Sequence, residues 1–264
     1  MRPAQSNAFR PDRALNEALL RYVLRLGDTS LVLGQRLGEW VGHAPTLEED
    51  LGLANLALDL IGQARLLLTY AGEIEDRERD EDALAYLRDA PEYFNLALVE
   101  QPNGDFGCTI VRQWLIDAWQ LEIYGGLQES TDSRLAAIAA KALKETRYHY
   151  RFSSGWLVRL GDGTADSHER VQRAVDELWR FTGELFAPDE VDERMASAAI
   201  APSLIPGEAR WSAHVDEDLR TATLQRPAAQ PYPWHGKRGA HTEHLGYVLA
   251  EMQHLQRTYP GARW

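Results

Sequence analysis

The chain has 264 residues, 44% of them apolar and 26% charged, an ordinary balance for a globular protein with a sizeable core. Its net charge of −12 argues against general nucleic-acid binding, which needs a basic face. A single cysteine, Cys108, excludes an intrachain disulfide and a Cys-rich metal site. The sequence then reads as helix almost throughout. Leu15, Leu19, Tyr22, Val23 and Leu26 recur at helical spacing. Gly27-Asp28 is a break or a kink, after which Ser30 to Val41 continues. Thr46 and Glu49 form a capping box that opens a long helix to about Tyr70, with Leu51, Ala54, Leu58, Ile61 and Leu68 as its stripe. Glu73 to Asp82 reads as a solvated charged linker, Pro91 to Val99 as a short helix and Gln101 to Asp105 as a turn.

Helix resumes near Asp105 and runs to about Leu127. Ser130-Thr131-Asp132 caps the next helix, which ends at Gly161-Asp162-Gly163. That glycine pair follows a helix, not a strand, and reads as a C-cap instead of a phosphate cradle. Asp166-x-x-Glu169 opens a further helix ending near Phe186, and Pro188 is placed as the first residue of a short one. Glu208 to Leu224 is helical, Arg226 to Gly239 is a Pro-rich loop, and the last helix spans His241 to Arg257. The organisation expected is a tail over residues 1–14 and one all-α domain over 15–264, a long-helix bundle with peripheral helices. No apolar run of signal-peptide type opens the chain, and no window approaches about 18 uninterrupted apolar residues. A cytoplasmic protein without a membrane span is therefore expected.

Long-helix bundles of this kind can hold two irons through inward carboxylates and two Glu-x-x-His motifs on different helices. A Glu three residues before a His occurs here at Glu251-x-x-His254. Glu39 and His43, and Glu145 and His149, lie four apart, which still sets each pair on one helix face. Glu145 and His149 read as a buried pair hydrogen-bonded or ion-paired across helices. His241 and His244 have a metal-compatible spacing but no evident third ligand, and helix-end capping and packing account for them. Trp114, Trp119, Trp156 and Trp179 fall on helices, where tryptophan is usually core or interface.

At longer segments a family resemblance becomes specific. Leu33 to Pro45 (LGQRLGEWVGHAP), Leu98 to Gly104 (LVEQPNG), Lys141 to His149 (KALKETRYH), Glu177 to Phe186 (ELWRFTGELF) and His241 to Gln253 (HTEHLGYVLAEMQ) are similar to the phenylacetate-degradation oxygenase family, over about residues 15 to 257. The resemblance implies a ferritin-like fold. It also implies membership of a multicomponent monooxygenase, in which a separate catalytic di-iron subunit epoxidises the ring of phenylacetyl-CoA. Electrons come from NADPH through a reductase bearing FAD and an iron–sulfur cluster. Where the catalytic relative carries its two Glu-x-x-His motifs, this chain reads Leu60-x-x-Gln63 and Thr146-x-x-His149, and Asp117 matches a carboxylate position. Leu60, Gln63, Asp117, Thr146 and His149 are thus expected to be the remnant of a di-iron site. The chain would hold no metal or cofactor of its own and would act as the structural partner of the catalytic di-iron protein and the other members of the complex. Without a metal, Asp117 and Glu145 should find Arg, His or amide partners, with Lys144, Arg147 and His149 as candidates. Two other readings stay open: an autonomous di-iron oxygenase with atypical ligands, and a free-standing helical interaction protein. Self-association of the chain stays open beside these.

Overall fold

Among residues 13–262, which the computed structural model describes, helices and loops account for the architecture, and the one β-type contact is an isolated bridge between His235 and Ala240. In chain order the helices are α1 (Arg13–Gly38), α2 (Leu47–Glu75), the short α3 (Glu81–Tyr86), α4 (Phe106–Leu127), α5 (Ser133–Gly161), α6 (Ala165–Leu178), α7 (Glu190–Ser197), α8 (Leu204–Thr221), α9 (Glu243–Met252) and α10 (His254–Thr258). The all-α class expected from the sequence is what the chain adopts. α1 pairs along its length with α2, and α4 with α5, and α2 also meets α5. These four make the ferritin-like bundle, with α6 and α8 laid on the α4–α5 pair and α7 on α1.

The first pair of helices is close because α1 offers glycines to α2. A Cβ on Gly34 would meet Ile61 Cγ1 at 3.2 Å and Leu60 Cβ at 3.3 Å, and one on Gly27 would meet Leu68 Cδ2 at 3.0 Å. Gly27-Asp28, read as a break or a kink, does not break α1: Gly27 serves helix packing, and Asp28 is held by distant partners. Asp28 is fully buried and pairs with buried Arg88, while its Oδ2 also accepts the backbone N–H of Phe94 at 2.9 Å. α4 is the central helix, buried nearly all round, with one polar face turned into the bundle. Trp114 Nε1 and Tyr150 OH both donate to Asp218 Oδ2, at 2.7 and 2.6 Å, tying α8 to α4 and α5.

Several boundaries differ from expectation for identifiable reasons. α1 begins at Arg13, so the last two residues assigned to the N-terminal tail are helical, and the rest of that tail lies outside the described residues. α1 ends at Gly38, and residues 39–43 form turns. At α2 the Thr46 hydroxyl bonds Glu49 side chain to side chain without capping the backbone, so the expected capping box is not formed. The charged linker is shorter than Glu73 to Asp82, confined to residues 76–80, because α2 continues to Glu75 and Asp80 caps α3 by accepting from Ala83 N at 2.8 Å. Pro91 to Val99 is not one helix but two 3-10 turns, Ala90–Glu92 and Ala97–Glu100, around extended backbone. Its N–H groups go elsewhere: Leu96 N to Thr29 Oγ1 at 3.2 Å and Ala97 N to Glu184 Oε2 at 2.9 Å. The helix expected to reach Phe186 turns 3-10 at Trp179. Pro188 precedes Asp189, which is the actual N-cap of α7. The last helix starts after Thr242, not at His241, and breaks at buried Gln253, whose amide donates to the carbonyls of Ala85 and Arg88.

Candidate functional site

The inward faces of the four bundle helices define the candidate site. Gln113, Asp117, Gln120 and Tyr124 share one face of α4, spaced so that they stack turn on turn, and all four are buried. Thr146, His149 and Ser153 do the same on α5. Opposite them, α1 and α2 present mainly leucines, with Ser30, Leu60 and Gln63 among them. The result is a polar band on one half of the bundle facing a mostly apolar half.

Gln113, Asp117, Ser153, Gln63 and His149 find local partners. Gln113 Nε2 donates to Asp117 Oδ1 at 2.7 Å, and Ser153 Oγ lies 2.7 Å from Asp117 Oδ2. Burial pushes the Asp117 carboxyl well above the ordinary carboxylate range, with the bonds from Ser153 and Gln113 opposing only in part. The protonated acid is thus favoured, and as an acid it can donate to Ser153, whose hydroxyl is 3.3 Å from the Tyr150 carbonyl. Across the bundle, Gln63 Nε2 donates to Glu145 Oε2 at 3.1 Å, and Glu145 pairs with Lys141 at 2.7 Å. Gln63 Oε1 is approached by Ser30 Oγ at 3.5 Å and Tyr124 OH at 3.4 Å. His149 Nε2 is 3.1 Å from Asp59 Oδ2. Burial lowers the His149 pKa, with the Asp59 contact opposing, so the neutral ring with its proton on Nε2 fits this geometry.

The five positions taken from the sequence therefore do not converge on one point. Gln63 and His149 each reach across to the neighbouring helix, Asp117 is bound within its own cluster, and no hydrogen bond joins Asp117 to Gln63 or His149 among the described residues. Leu60 is fully buried against α1. Thr146 Oγ1 and His149 Nδ1, with Gln113 Oε1 and both amide atoms of Gln120, are buried without a protein partner among the described residues. The expectation that Asp117 and Glu145 would find amide partners is met by Gln113 and Gln63. Lys144, Arg147 and His149, the named candidates, are not those partners: Lys144 and Arg147 are exposed on the outer face of α5, and His149, on the inward face, is bonded to Asp59.

A di-iron pair needs several ionised carboxylates bridging from different helices. The residues present do not fit. Leu60 has no donor atom, Gln63 offers a neutral amide, Thr146 a hydroxyl, and Asp117 is held toward its protonated form. His149 has its Nε2 on Asp59. Sequence reasoning missed Ser30, Gln113, Tyr124 and Ser153, which carry the hydrogen bonds here. The four-residue spacing of Gln113 to Asp117 and of His149 to Ser153 was the available signal.

The other two histidine candidates resolve differently. Both ring nitrogens of His241 are engaged, Nδ1 with Glu100 Oε1 at 2.6 Å and Nε2 with the Tyr93 carbonyl at 2.8 Å. Burial opposes protonation, but the Glu100 carboxylate outweighs it and raises the His241 pKa. His241 thus supplies the charge that buried Glu100 needs, and it stands before α9, not on the helix with His244. Glu251 and His254 are separated by the break at Gln253, and both are exposed.

Fold and interior together define a ferritin-like bundle whose central cluster is a hydrogen-bonded set of mostly neutral side chains. The chain belongs to the Phenylacetic acid catabolic protein family, which matches residues 4–264. It is similar to the C subunit of the 1,2-phenylacetyl-CoA epoxidase of Escherichia coli (strain K12), at 56% identity over 246 residues, which covers 93% of this chain and 99% of that protein.

Proposed function

We propose that this chain is the non-catalytic structural subunit of a multicomponent phenylacetyl-CoA 1,2-epoxidase in aerobic phenylacetate catabolism, where it binds and supports a catalytic di-iron subunit. The likeness to the C subunit of such an epoxidase supports the assignment. The observation that carries the non-catalytic part is the donor set in the bundle interior, where Leu60, Gln63 and Thr146 stand where metal-binding carboxylates would be needed and Asp117 favours its protonated form. A role in an assembly is further supported by α2. That helix is long and apolar enough to cross a membrane by length and composition, with a mean hydropathy of 1.4 in its best window. It lies between α1 and α5 and leaves Leu47, Leu51, Leu58 and Ile61 exposed on its outer face. Such an exposed apolar stripe on a helix fits a surface that a protein partner covers.

The test is affinity capture of the tagged full chain from phenylacetate-grown cells of its host, with iron measured in each captured protein. The proposal expects a homologous di-iron protein to co-purify, with iron in that partner and well under one iron per copy of this chain. Two tightly held irons in this chain would overturn the non-catalytic reading, and recovery of the chain without such a partner would overturn the assembly.

A further inference from the structure

Away from the bundle core, a cavity of about 440 Å³ opens between α1, α7 and the turn Gly236–Arg238. Its size is that of a small-molecule site. Five cationic side chains line it against three carboxylates, in a chain whose net charge is −12. Two of the cations are neutralised within the fold. Arg25 forks onto Asp189 at 3.0 and 2.5 Å, and Lys237 Nζ sits 2.8 Å from Asp192 Oδ2.

The other three cations are not neutralised in this way. Arg21 is half-buried with its guanidinium carbon 3.7 Å from the centre of the Phe94 ring, and it makes no hydrogen bond or ion pair among the described residues. Arg194 at the rim likewise has no side-chain partner among them, and the contact of Arg238 is a long one, Nε to Asp189 Oδ2 at 3.5 Å. The carboxylates do not make up the difference. Asp189 is taken by Arg25 and by the N–H groups of Val191 and Asp192, and Glu17 pairs with Arg13 at 2.9 Å. Glu190 is exposed at the start of α7.

A half-buried guanidinium has five donors to satisfy and no acceptor of its own. Stacking on an aromatic face holds its planar fork in one orientation and leaves the N–H edge free for a bidentate anion. We propose that this cavity binds a phosphate-bearing small anion, gripped by Arg21 and closed from the rim by Arg194 and Arg238. Three arginines around one pocket match the several oxygens and multiple charge of a phosphoryl group better than a single carboxylate. Free phosphates and the phosphate groups of a coenzyme share this chemistry. The inference stands apart from the role proposed for the bundle core.

The test is titration calorimetry on the full chain at low ionic strength with inorganic phosphate, pyrophosphate, coenzyme A, acetate and a Glu-rich peptide. Saturable one-to-one binding of pyrophosphate or coenzyme A is expected, weakened about tenfold or more by Arg21→Met and several-fold by Arg194→Met, with partial recovery in Arg21→Lys. Tighter binding of coenzyme A than of pyrophosphate would assign the anion to a coenzyme, and the reverse order to a free phosphate. The double variant Arg194→Met/Arg238→Met changes exposed side chains only and carries the test if Arg21→Met does not fold. No saturable phosphate binding up to about 10 mM, affinities unchanged in both Arg21→Met and the double variant, or equal binding of acetate or the Glu-rich peptide would overturn the proposal.

Discussion

Replacing Asp117 by Asn tests the state of the bundle interior. Asp117 is fully buried between Gln113 and Ser153, and burial raises its pKa. In the unfolded chain an aspartate titrates near 3.9. Above that pH the unfolded state loses the proton while the native state keeps it. Stability therefore falls as pH rises toward the native pKa, by about 1.4 kcal/mol for each pH unit in that window. Asparagine has the shape of the protonated acid, can donate to Ser153 and accept from Gln113, and does not titrate. Asp117→Asn should fold, and its melting temperature should gain on the parent as pH rises, by about 3–5 °C per pH unit within the window. Asp117→Ala is the contrast. It strands the Gln113 amide and the Ser153 hydroxyl and should lose stability at every pH, by about 1–3 kcal/mol for each group left unpaired. Circular-dichroism melts from pH 5 to 8 on the three proteins decide the matter. An Asp117→Asn difference that is flat with pH, or that grows more destabilising toward pH 8, would refute the protonated carboxyl.

Gln63→Glu should destabilise the chain near neutral pH, because a carboxylate would then face Glu145 where an amide now donates at 3.1 Å. The loss should shrink in acid, where one of the pair can protonate, and melts at pH 5 and 8 check it. Leu60→Ala opens a cavity at a fully buried position against Gly34 and should cost about 2–5 kcal/mol in urea unfolding. Asp28→Ala leaves Arg88 buried without its carboxylate and should cost about 3–5 kcal/mol by the same assay.

The long helices were legible because their signals are local. Apolar spacing marks α1, and Asp105 and Asp132 cap α4 and α5 by accepting backbone N–H groups within three residues. On α2 the helix was legible but its buried face was not, since Leu51, Leu58 and Ile61 of the expected stripe are exposed and Leu53, Leu56, Leu60 and Leu67 form the core face. What was not legible depends on contacts across long stretches of chain. Gly27-Asp28 looks like a helix breaker until Leu68 and Arg88, some 40 and 60 residues on, are seen to need that glycine and that carboxylate. The segment 90–100 has helical composition, yet Thr29 and Glu184 take its N–H groups and hold it extended. At the candidate site, sequence placed Gln63, Asp117 and His149 on inward faces, which the bundle bears out. It could not give the partners, because Gln63 to Glu145 and His149 to Asp59 are matters of register between α2 and α5. The Arg25–Asp189 and His241–Glu100 pairs were invisible for the same reason.

Turnover of phenylacetyl-CoA by the reconstituted complex, with and without this chain and with His149→Ala in it, decides whether the chain supports chemistry or performs it. His149 is buried in the candidate site but is assigned no reacting role. The assembled His149→Ala complex should turn over within a few-fold of the parent, and omitting the chain should abolish turnover or the solubility of the catalytic partner. A folded, assembled His149→Ala complex that loses activity by roughly a thousandfold, the scale of a lost catalytic group, would contradict that expectation and place an active site in this chain.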